Sequence, residues 1–104
     1  MHIEGTYKMS ALLDFKKIGK ISKALADPHR LKIIEAIKKH GSACMQCSAV
    51  IEMIDLSQPA ISHHLKLLTE ADLIIPEKEG RNMKYTINKD IFRDYAHYLK
   101  SFQE

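Results

Sequence analysis

Two cysteines that are separated by two residues, Cys44 and Cys47, form the pair of side chains best suited to chemistry in this chain of 104 residues. Two thiols at this spacing can bind a soft metal or metalloid ion, or join in a disulfide or persulfide bridge. A free cysteine at a helix start is also commonly a small apolar residue that only packs against its neighbours. Both interpretations of the pair stay open. The protein is therefore expected to have a metal or metalloid ion as its cofactor, or to have no cofactor.

The histidines and carboxylates do not match a zinc-finger pattern. His63 and His64 are adjacent, so on a helix their side chains diverge by about 100° and do not easily share one ion. A Cys₂His₂ site needs two histidines three to five positions apart after the second cysteine. His2, His29 and His40 have no interpretable spacing. On the last helix we expect a solvated polar face, formed by Asp90, Asp94, His97 and Glu104.

An enzymatic use of Cys44 and Cys47 as a dithiol oxidoreductase motif normally requires a strand–helix–strand setting. Here helical patterns flank the pair, and the signal for a sheet is confined to one hairpin. The sequence contains neither a phosphate-binding loop nor a pair of carboxylates in a credible cleft. We therefore expect a protein that is not an enzyme, with the oxidoreductase as the less favoured alternative.

Helical periodicity and capping residues indicate the elements that position these groups. Apolar spacing predicts a first helix over Met9–Ala26. Asp27 and Pro28 form an N-cap followed by a proline at the first helical position, which predicts a second helix that runs to about Lys39. The residues expected to face inward from this second helix are Leu31, Ile34 and Ile37.

A helix-turn-helix and a hairpin follow. A short third helix is predicted over Cys47–Met53, and Ser57 caps a fourth helix that ends near residues 70–72 and buries a stripe of apolar side chains. Asp55 lies in the connecting turn, where we expect a positive φ because Asp tolerates the left-handed region better than most residues. The stripe consists of Ile61, Leu65 and Leu68.

The pattern changes period after the fourth helix. Leu73–Ile75 and Met83–Ile87 are rich in strand-forming residues and are joined by the polar loop 77–82. Asn88 caps a last helix over Lys89–Phe102. The predicted fold is mainly α with a small β-hairpin, in the order α-α-α-α-β-β-α, with residues 1–8 as an N-terminal arm and residues 9–104 as one winged helix-turn-helix domain.

Composition and charge limit the class of protein. Hydrophobic residues make up 45% and charged residues 28% of the chain, which suits a packed single domain. We expect a soluble, cytoplasmic protein, because the sequence has no apolar run long enough for a membrane span and no export signal. The net charge of +3 is uneven, with +5 over residues 1–40, −4 over residues 41–80 and +2 over residues 81–104.

Three motifs resemble those of ArsR-type winged-helix repressors. Residues 24–34, ALADPHRLKII, resemble the signature ALADPTRLRIL that opens the second helix of the family. Residues 56–68, LSQPAISHHLKLL, resemble its recognition helix LSQPAVSRHLKLL, and Glu79-Gly80-Arg81 followed by Tyr85 resembles its wing. The resemblance implies a homodimeric repressor that binds operator DNA and releases it when a metal, metalloid or oxidant is sensed. The Cys44-x-x-Cys47 spacing differs from the Cys-x-Cys of metalloid-sensing relatives.

The helix-turn-helix predicts which residues meet DNA. In this motif the N-terminal residues of the second helix contact base edges in the major groove, and the free N–H groups of its first turn can bind a phosphate. With Ile61 at the centre of the buried face, the polar residues of the helix point outward. The expected DNA-binding residues are Ser57, Gln58, Ala60, Ser62, His63, Lys66, Arg81 and Lys84.

Two features of the sequence oppose tight binding of DNA. His63 stands where the family signature has Arg, and the middle of the chain is acidic. We therefore expect much of the attraction for DNA to come from other cations, with an affinity that depends on salt. These cations are Lys16, Lys17, Lys20, Arg30, Arg81 and Lys84.

The first and last helices carry more apolar surface than three inner helices can cover, which predicts a homodimer through these two helices. A two-fold dimer presents two recognition helices about 34 Å apart or a multiple of that distance, so the expected partner is double-stranded DNA with an inverted-repeat operator. The alternatives are a winged-helix module that binds protein and a regulator without an inducer site.

Overall fold

The computed structural model describes residues 13–40, 43–44 and 55–104. In these residues the element order is α1 (Phe15–Ala24), α2 (Pro28–His40), β1 (Ala43–Cys44), α3 (Gln58–Glu70), β2 (Ile74–Glu79), β3 (Asn82–Ile87) and α4 (Lys89–Lys100), with a 3₁₀ turn at Ser101–Gln103. None of the described helices is long and apolar enough to cross a membrane. The predicted N-terminal arm (residues 1–8) and the predicted third helix (Cys47–Met53) lie outside the described residues.

Short polar side chains set where the helices begin. The carboxylate of Asp14 accepts a hydrogen bond from the N–H of Lys17 at 2.7 Å, and this cap starts α1 at Phe15. The predicted start at Met9 is therefore too early, since residues 13 and 14 precede the helix and residues 9–12 lie outside the described range. Asp27 and Asn88 cap α2 and α4 in the same way, as the sequence predicts.

The hydrophobic core lies where α1, α2, α3 and the start of β2 meet. Burying each large aliphatic side chain there contributes about 1.5–3 kcal/mol. The prediction that Leu31 points inward is wrong, because 45% of its surface is exposed. The buried residues of α2 are Ile33, Ile34, Ala36 and Ile37, and Leu31 projects from the opposite side of that helix. The fully buried large side chains are Ile21, Ile33, Ile37, Ile61, Leu68, Leu73 and Ile74.

The sheet has three antiparallel strands in the order β1-β3-β2. The strand β1 was not predicted, because two residues are too short to show a period; it pairs Ala43 with Tyr85 and Cys44 with Lys84. The hairpin strands are longer than predicted, and most of the predicted loop 77–82 belongs to them. Neither face of this outer part is buried, so its sequence lacks the alternation that marks a strand.

The end of α3 is a Schellman motif built around Asp72. The N–H of Leu73 bonds to the carbonyl of Leu68 at 3.1 Å, and the N–H of Asp72 bonds to the carbonyl of Thr69 at 2.9 Å. Asp72 adopts the left-handed conformation, with φ of 60°. Its carbonyl accepts from the side-chain amide of Asn88 at 2.9 Å, and its carboxylate pairs with Lys17. This turn therefore joins α1, α3 and α4.

The last helix α4 is apolar along one side and contains one buried acid. The expectation of a solvated stripe holds for Asp90, His97 and Glu104, which are exposed, but it is wrong for Asp94, of which only 8% of the surface is exposed. The hydroxyl of Tyr95 lies 2.7 Å from that of Ser22, which links α4 to α1. Asp94 lies on the side of α4 that packs toward the body, one helical turn from Ile91 and Tyr98, which both pack against the core.

Replacing a core residue of α2 will destabilise the protein far more than replacing an exposed one. We expect Ile37→Ala, at a fully buried position, to lower the free energy of unfolding by about 2–5 kcal/mol, because it leaves a cavity. The matched control Leu31→Ala, on the same helix, should cost less than about 1 kcal/mol. Urea denaturation at one protein concentration measures both values, and equal losses would contradict the orientation of α2.

Candidate nucleic-acid interface

The helix α3 has one buried face and one polar face. Ile61, Leu65 and Leu68 are buried, as the sequence predicts. The hydroxyl of Ser57 accepts a hydrogen bond from the N–H of Ala60 at 3.3 Å and caps the helix. The opposite face projects into solvent with five of the predicted DNA-binding side chains exposed and Ala60 half-buried. The exposed set is Ser57, Gln58, Ser62, His63 and Lys66.

The turn that precedes α3 has the backbone conformation that the sequence predicts. Asp55 has a φ of 56° and is exposed. The left-handed conformation costs most L-residues about 1–2 kcal/mol, and Asp is among the few that adopt it routinely. Asp55 lies two residues before the Ser57 cap, and the first turn of α3 that follows is at the surface.

The wing, which consists of β2, β3 and the turn between them, ends in a two-residue loop. Gly80 is the first residue of this loop and has a φ of 64°, and Glu79 pairs with Asn82 across it. A glycine with positive φ at this position is the arrangement of a type II′ turn. The loop places Arg81 at the exposed tip of the wing.

A shallow groove of about 330 Å³ lies between α3 and the wing. Ser62 and Lys66 line it from the helix, and Pro76 and Tyr85 line it from the strands. Two of the predicted DNA-binding residues therefore lie beside the wing. The structure brings α3 and the wing together as two neighbouring projections.

Three cations that were expected to attract DNA are occupied within the protein. Lys17 pairs with Asp72. Lys84 lies 3.1 Å from a carboxylate oxygen of Glu79 and 3.8 Å from one of Glu77. The hydrogen bond to Glu79 and the charges of both carboxylates raise the pKa of Lys84. The third cation is Arg30, whose side chain is only 12% exposed.

Arg30 ties three helices together. Its Nε donates to the carbonyl of Ala24 at 2.7 Å and its Nη2 to the carbonyl of Lys23 at 3.3 Å, both at the end of α1. Its Nη1 donates to Nδ1 of His64 on α3 at 3.2 Å. Of the six cations that were predicted to supply much of the attraction for DNA, the exposed ones are therefore Lys16, Lys20 and Arg81.

The structure also brings together three residues that the sequence did not connect. Asp27, His29 and His64 each place a potential ligand atom within 4.8 Å of the others. The rings of His29 and His64 stack, with their centroids 5.8 Å apart and their planes at 28°. The spacing of His29 in the sequence does not indicate this partner, because the packing of α2 on α3 brings in a residue that lies 35 positions away.

The protonation of this cluster follows from its surroundings. Burial opposes ionisation of Asp27, but hydrogen bonds from the N–H groups of His29 and Arg30 and the charge of the Arg30 guanidinium hold the pKa of Asp27 below its ordinary value. Partial burial and the Arg30 charge lower the pKa of His64, against the opposing effect of the Asp27 carboxylate. At neutral pH the cluster therefore has an ionised carboxylate beside a neutral His64 imidazole.

Cys44 has a different setting from the predicted one. The backbone of Cys44 lies in β1, opposite Lys84 of β3, and not at the start of a helix. The extended conformation is fixed by pairing with the sheet, which the local sequence does not reveal. Cys47 lies outside the described residues.

A helix-turn-helix domain model matches residues 25–77, which include α2, α3 and the start of the wing. The arsenical resistance operon repressor of Staphylococcus xylosus is 35% identical over 83 residues, which are 80% of this chain and 76% of the repressor. The chain belongs to the ArsR family. The transcriptional repressor SdpR of Bacillus subtilis (strain 168) is 29% identical over 85 residues, which are 82% of this chain and 91% of that protein.

Solved structures of the ArsR family share the fold. The crystal structure of an ArsR family transcriptional regulator superposes with a TM-score of 0.72 at 26% identity, and the match covers 85% of this chain and 88% of the other. The solution structure of a homodimeric winged helix-turn-helix DNA-binding domain from Mycobacterium bovis gives a TM-score of 0.66 at 26% identity, covering 91% of this chain and 84% of the other. This ArsR-family protein is a DNA-binding transcriptional regulator and not an enzyme.

Proposed function

We propose that the protein is a dimeric repressor that binds an inverted-repeat operator in the cytoplasm and releases it on a metal, metalloid or thiol-oxidising signal. The observation that carries the proposal is the polar face of α3, which projects from the body while Ile61, Leu65 and Leu68 hold the helix to the core. The relatives that are named as repressors support the direction of control. A cytoplasmic location follows from the proposed target, because operator DNA lies there.

The proposed contacts divide into those that recognise bases and those that hold the DNA backbone. Gln58 can pair bidentately with adenine, and Ser57, Ser62 and His63 are the other proposed base contacts. The first turn of α3, around Gln58 and Ala60, is the proposed phosphate site, and the N–H of Gln58 is its donor, because Pro59 has no N–H and that of Ala60 already donates to the hydroxyl of Ser57. The cations that we propose contact the DNA backbone are Lys66 and Arg81. Lys84 is a weaker contributor, because the carboxylates of Glu77 and Glu79 already neutralise its charge.

Gln58 should determine recognition of sequence without supporting the fold, because its side chain is exposed. We expect Gln58→Ala to weaken operator binding by about 5- to 150-fold, which corresponds to the loss of about 1–3 kcal/mol for one bidentate base contact. Fluorescence anisotropy with the DNA upstream of the protein's own gene measures the affinity. The control Gln103→Ala, near the end of the chain, should bind as the wild type does. Equal weakening on operator and unrelated DNA would contradict a base-reading role.

The proposed dimer interface is the exposed apolar surface of the terminal helices. Phe15, at the start of α1, is 83% exposed, and Leu99 and Phe102, at the end of α4, are 48% and 72% exposed. Large exposed apolar side chains of this kind mark surfaces that associate. The homodimeric state of the Mycobacterium bovis domain supports the same arrangement.

A charge in this surface should separate the two protomers. We expect Leu99→Glu to sediment as a monomer at micromolar concentration, where the wild type sediments as a dimer, because a buried unpaired carboxylate destabilises an apolar interface. The matched control Ile75→Glu changes a residue of equal character on β2, which is 45% exposed, and should stay dimeric. A dimeric Leu99→Glu variant would refute the interface.

The cysteines are the proposed sensor of the inducing signal. The backbone of Cys44 pairs with β3 of the wing, which connects this residue to an element that we propose contacts DNA. The name of the Staphylococcus xylosus relative, an arsenical resistance operon repressor, supports a thiol-reactive inducer. The pairing of Cys44 with Cys47 in the sensing step rests on their spacing in the sequence.

Treatment with arsenite or an oxidant should release the wild-type protein from its operator. We expect the affinity to fall by about 5- to 150-fold, the usual range for coupling between two sites. The double variant Cys44→Ser with Cys47→Ser should bind the operator normally and resist release. Anisotropy before and after treatment measures the difference, and unchanged release in the double variant would exclude these thiols as the sensor.

A further inference from the structure

Two histidines and a carboxylate meet where the start of α2 faces the middle of α3. Asp27 precedes α2, His29 lies in its first turn, and His64 lies on α3. Nδ1 of His29 is 3.5 Å from Oδ1 of Asp27, and the His29 and His64 rings stack at 5.8 Å. We propose that Asp27, His29 and His64 form a binding site for a divalent transition-metal ion such as Zn²⁺, separate from the cysteine pair.

The donor set and its dimensions fit such an ion. Imidazole nitrogen and carboxylate oxygen are ordinary ligands of Zn²⁺, and a site with three protein ligands leaves a position for water. With bonds of about 2.1 Å, tetrahedral ligands lie about 3.4 Å from one another. The three ligand atoms already lie within 4.8 Å, and His29 and Asp27 are at the surface, so rotations of side chains close the remaining distance.

Asp27 can bind an ion without giving up its cap. Its Oδ1 accepts hydrogen bonds from the N–H groups of His29 at 2.7 Å and Arg30 at 3.4 Å. Its Oδ2 faces the guanidinium of Arg30 at 3.8 Å. An ion bound at Oδ2 therefore leaves the start of α2 intact, and the hydrogen bonds at Oδ1 orient the carboxylate toward it.

The guanidinium of Arg30 lies against two of the proposed ligands, His64 and Asp27. Its Nη1 donates to Nδ1 of His64, so an ion at Nδ1 replaces that bond directly. An ion at Nε2 moves the imidazole proton to Nδ1, which then no longer accepts from Arg30. In both cases only one hydrogen bond of Arg30 is lost, because Nε and Nη2 remain bonded to the carbonyls of Ala24 and Lys23. The guanidinium charge limits the affinity but does not block the site.

His29 is the residue that distinguishes this site. The signature that residues 24–34 resemble has Thr at this position, so Asp27 and His64 alone would offer only two ligands. His63 is next to His64, and their rings are 5.9 Å apart, but His63 does not belong to the cluster of ligand atoms. Substitution of His64 therefore removes a proposed ligand, and substitution of its neighbour His63 is the matched control. A bound ion cross-links α2 to the helix that we propose contacts DNA.

The test is an optical titration of the untagged full chain with Co²⁺, followed by displacement with Zn²⁺. It uses the wild type and the Cys44→Ser, Cys47→Ser variant, so that thiolate-to-metal charge transfer reports any binding by cysteine. We expect the serine variant to bind one Co²⁺ per chain with d–d bands and without thiolate bands. Adding His29→Thr or His64→Ala should weaken Co²⁺ binding by at least about 10- to 100-fold. Removing a residue that only orients a metal ligand already costs that much, and these two residues are ligands themselves.

One further variant and a measurement of folding keep the result decisive. Adding His63→Ala to the serine variant should leave the Co²⁺ affinity unchanged, since this histidine is not a ligand. Circular dichroism should show that His29→Thr is folded, because the His29 side chain is 49% exposed. The proposal is overturned if the serine variant does not bind Co²⁺, or if it binds with the same affinity after His29→Thr. Neither readout involves DNA, so failure here and failure of the proposed repressor function are distinguishable.

Discussion

The attachment of α3 to the core through Ile61, Leu65 and Leu68 is the constraint on which the rest of the structure depends. These three side chains lie one helical turn apart, and together they bury one whole side of the helix. Their burial fixes the rotation of α3 about its axis. The polar side chains on the other side of the helix therefore point away from the core. A helix held by a few mobile surface contacts could not present Gln58 and His63 in a defined orientation.

The C-terminal end and the middle of α3 are held by polar groups that come from α1, α2 and the start of α4. At the end of the helix, Asp72 stops it and contacts both Lys17 of α1 and Asn88, the cap of α4. Halfway along, His64 accepts a hydrogen bond from Arg30, which is itself bonded to the end of α1. Hydrophobic burial thus sets the orientation of α3, and polar contacts connect it to the two helices that we propose form the dimer, through charged groups to α1 and through a neutral hydrogen bond to α4.

The sequence predicts those parts of the structure that are fixed by local chemistry. The caps at Asp27, Ser57 and Asn88 give the starts of α2, α3 and α4, because a side chain bonds to backbone only two or three residues away. The positive φ of Asp55 is local in the same sense. The polar face of α3 follows from a regular period.

Other features depend on contacts between distant segments, and the sequence does not predict them. The strand β1 exists only because β3 is beside it, and the exposure of Leu31 follows from how α2 is rotated on the core. His29 and His64 are unremarkable until α2 packs on α3. The sequence shows the positive charge of Arg30, which predicts an attraction for DNA. It does not show the backbone carbonyl groups of Ala24 and Lys23, to which the guanidinium is bonded in the fold.

The wing that carries Arg81 also exposes β2 as an edge of the sheet, since the strand order is β1-β3-β2. Open edges offer unpaired backbone groups to other chains and favour aggregation. In this strand Pro76 lacks an N–H, and Glu77, Lys78 and Glu79 carry charge at the exposed positions that follow it. The proline and the charged side chains of β2 thus protect a protruding hairpin from pairing with strands of neighbouring molecules.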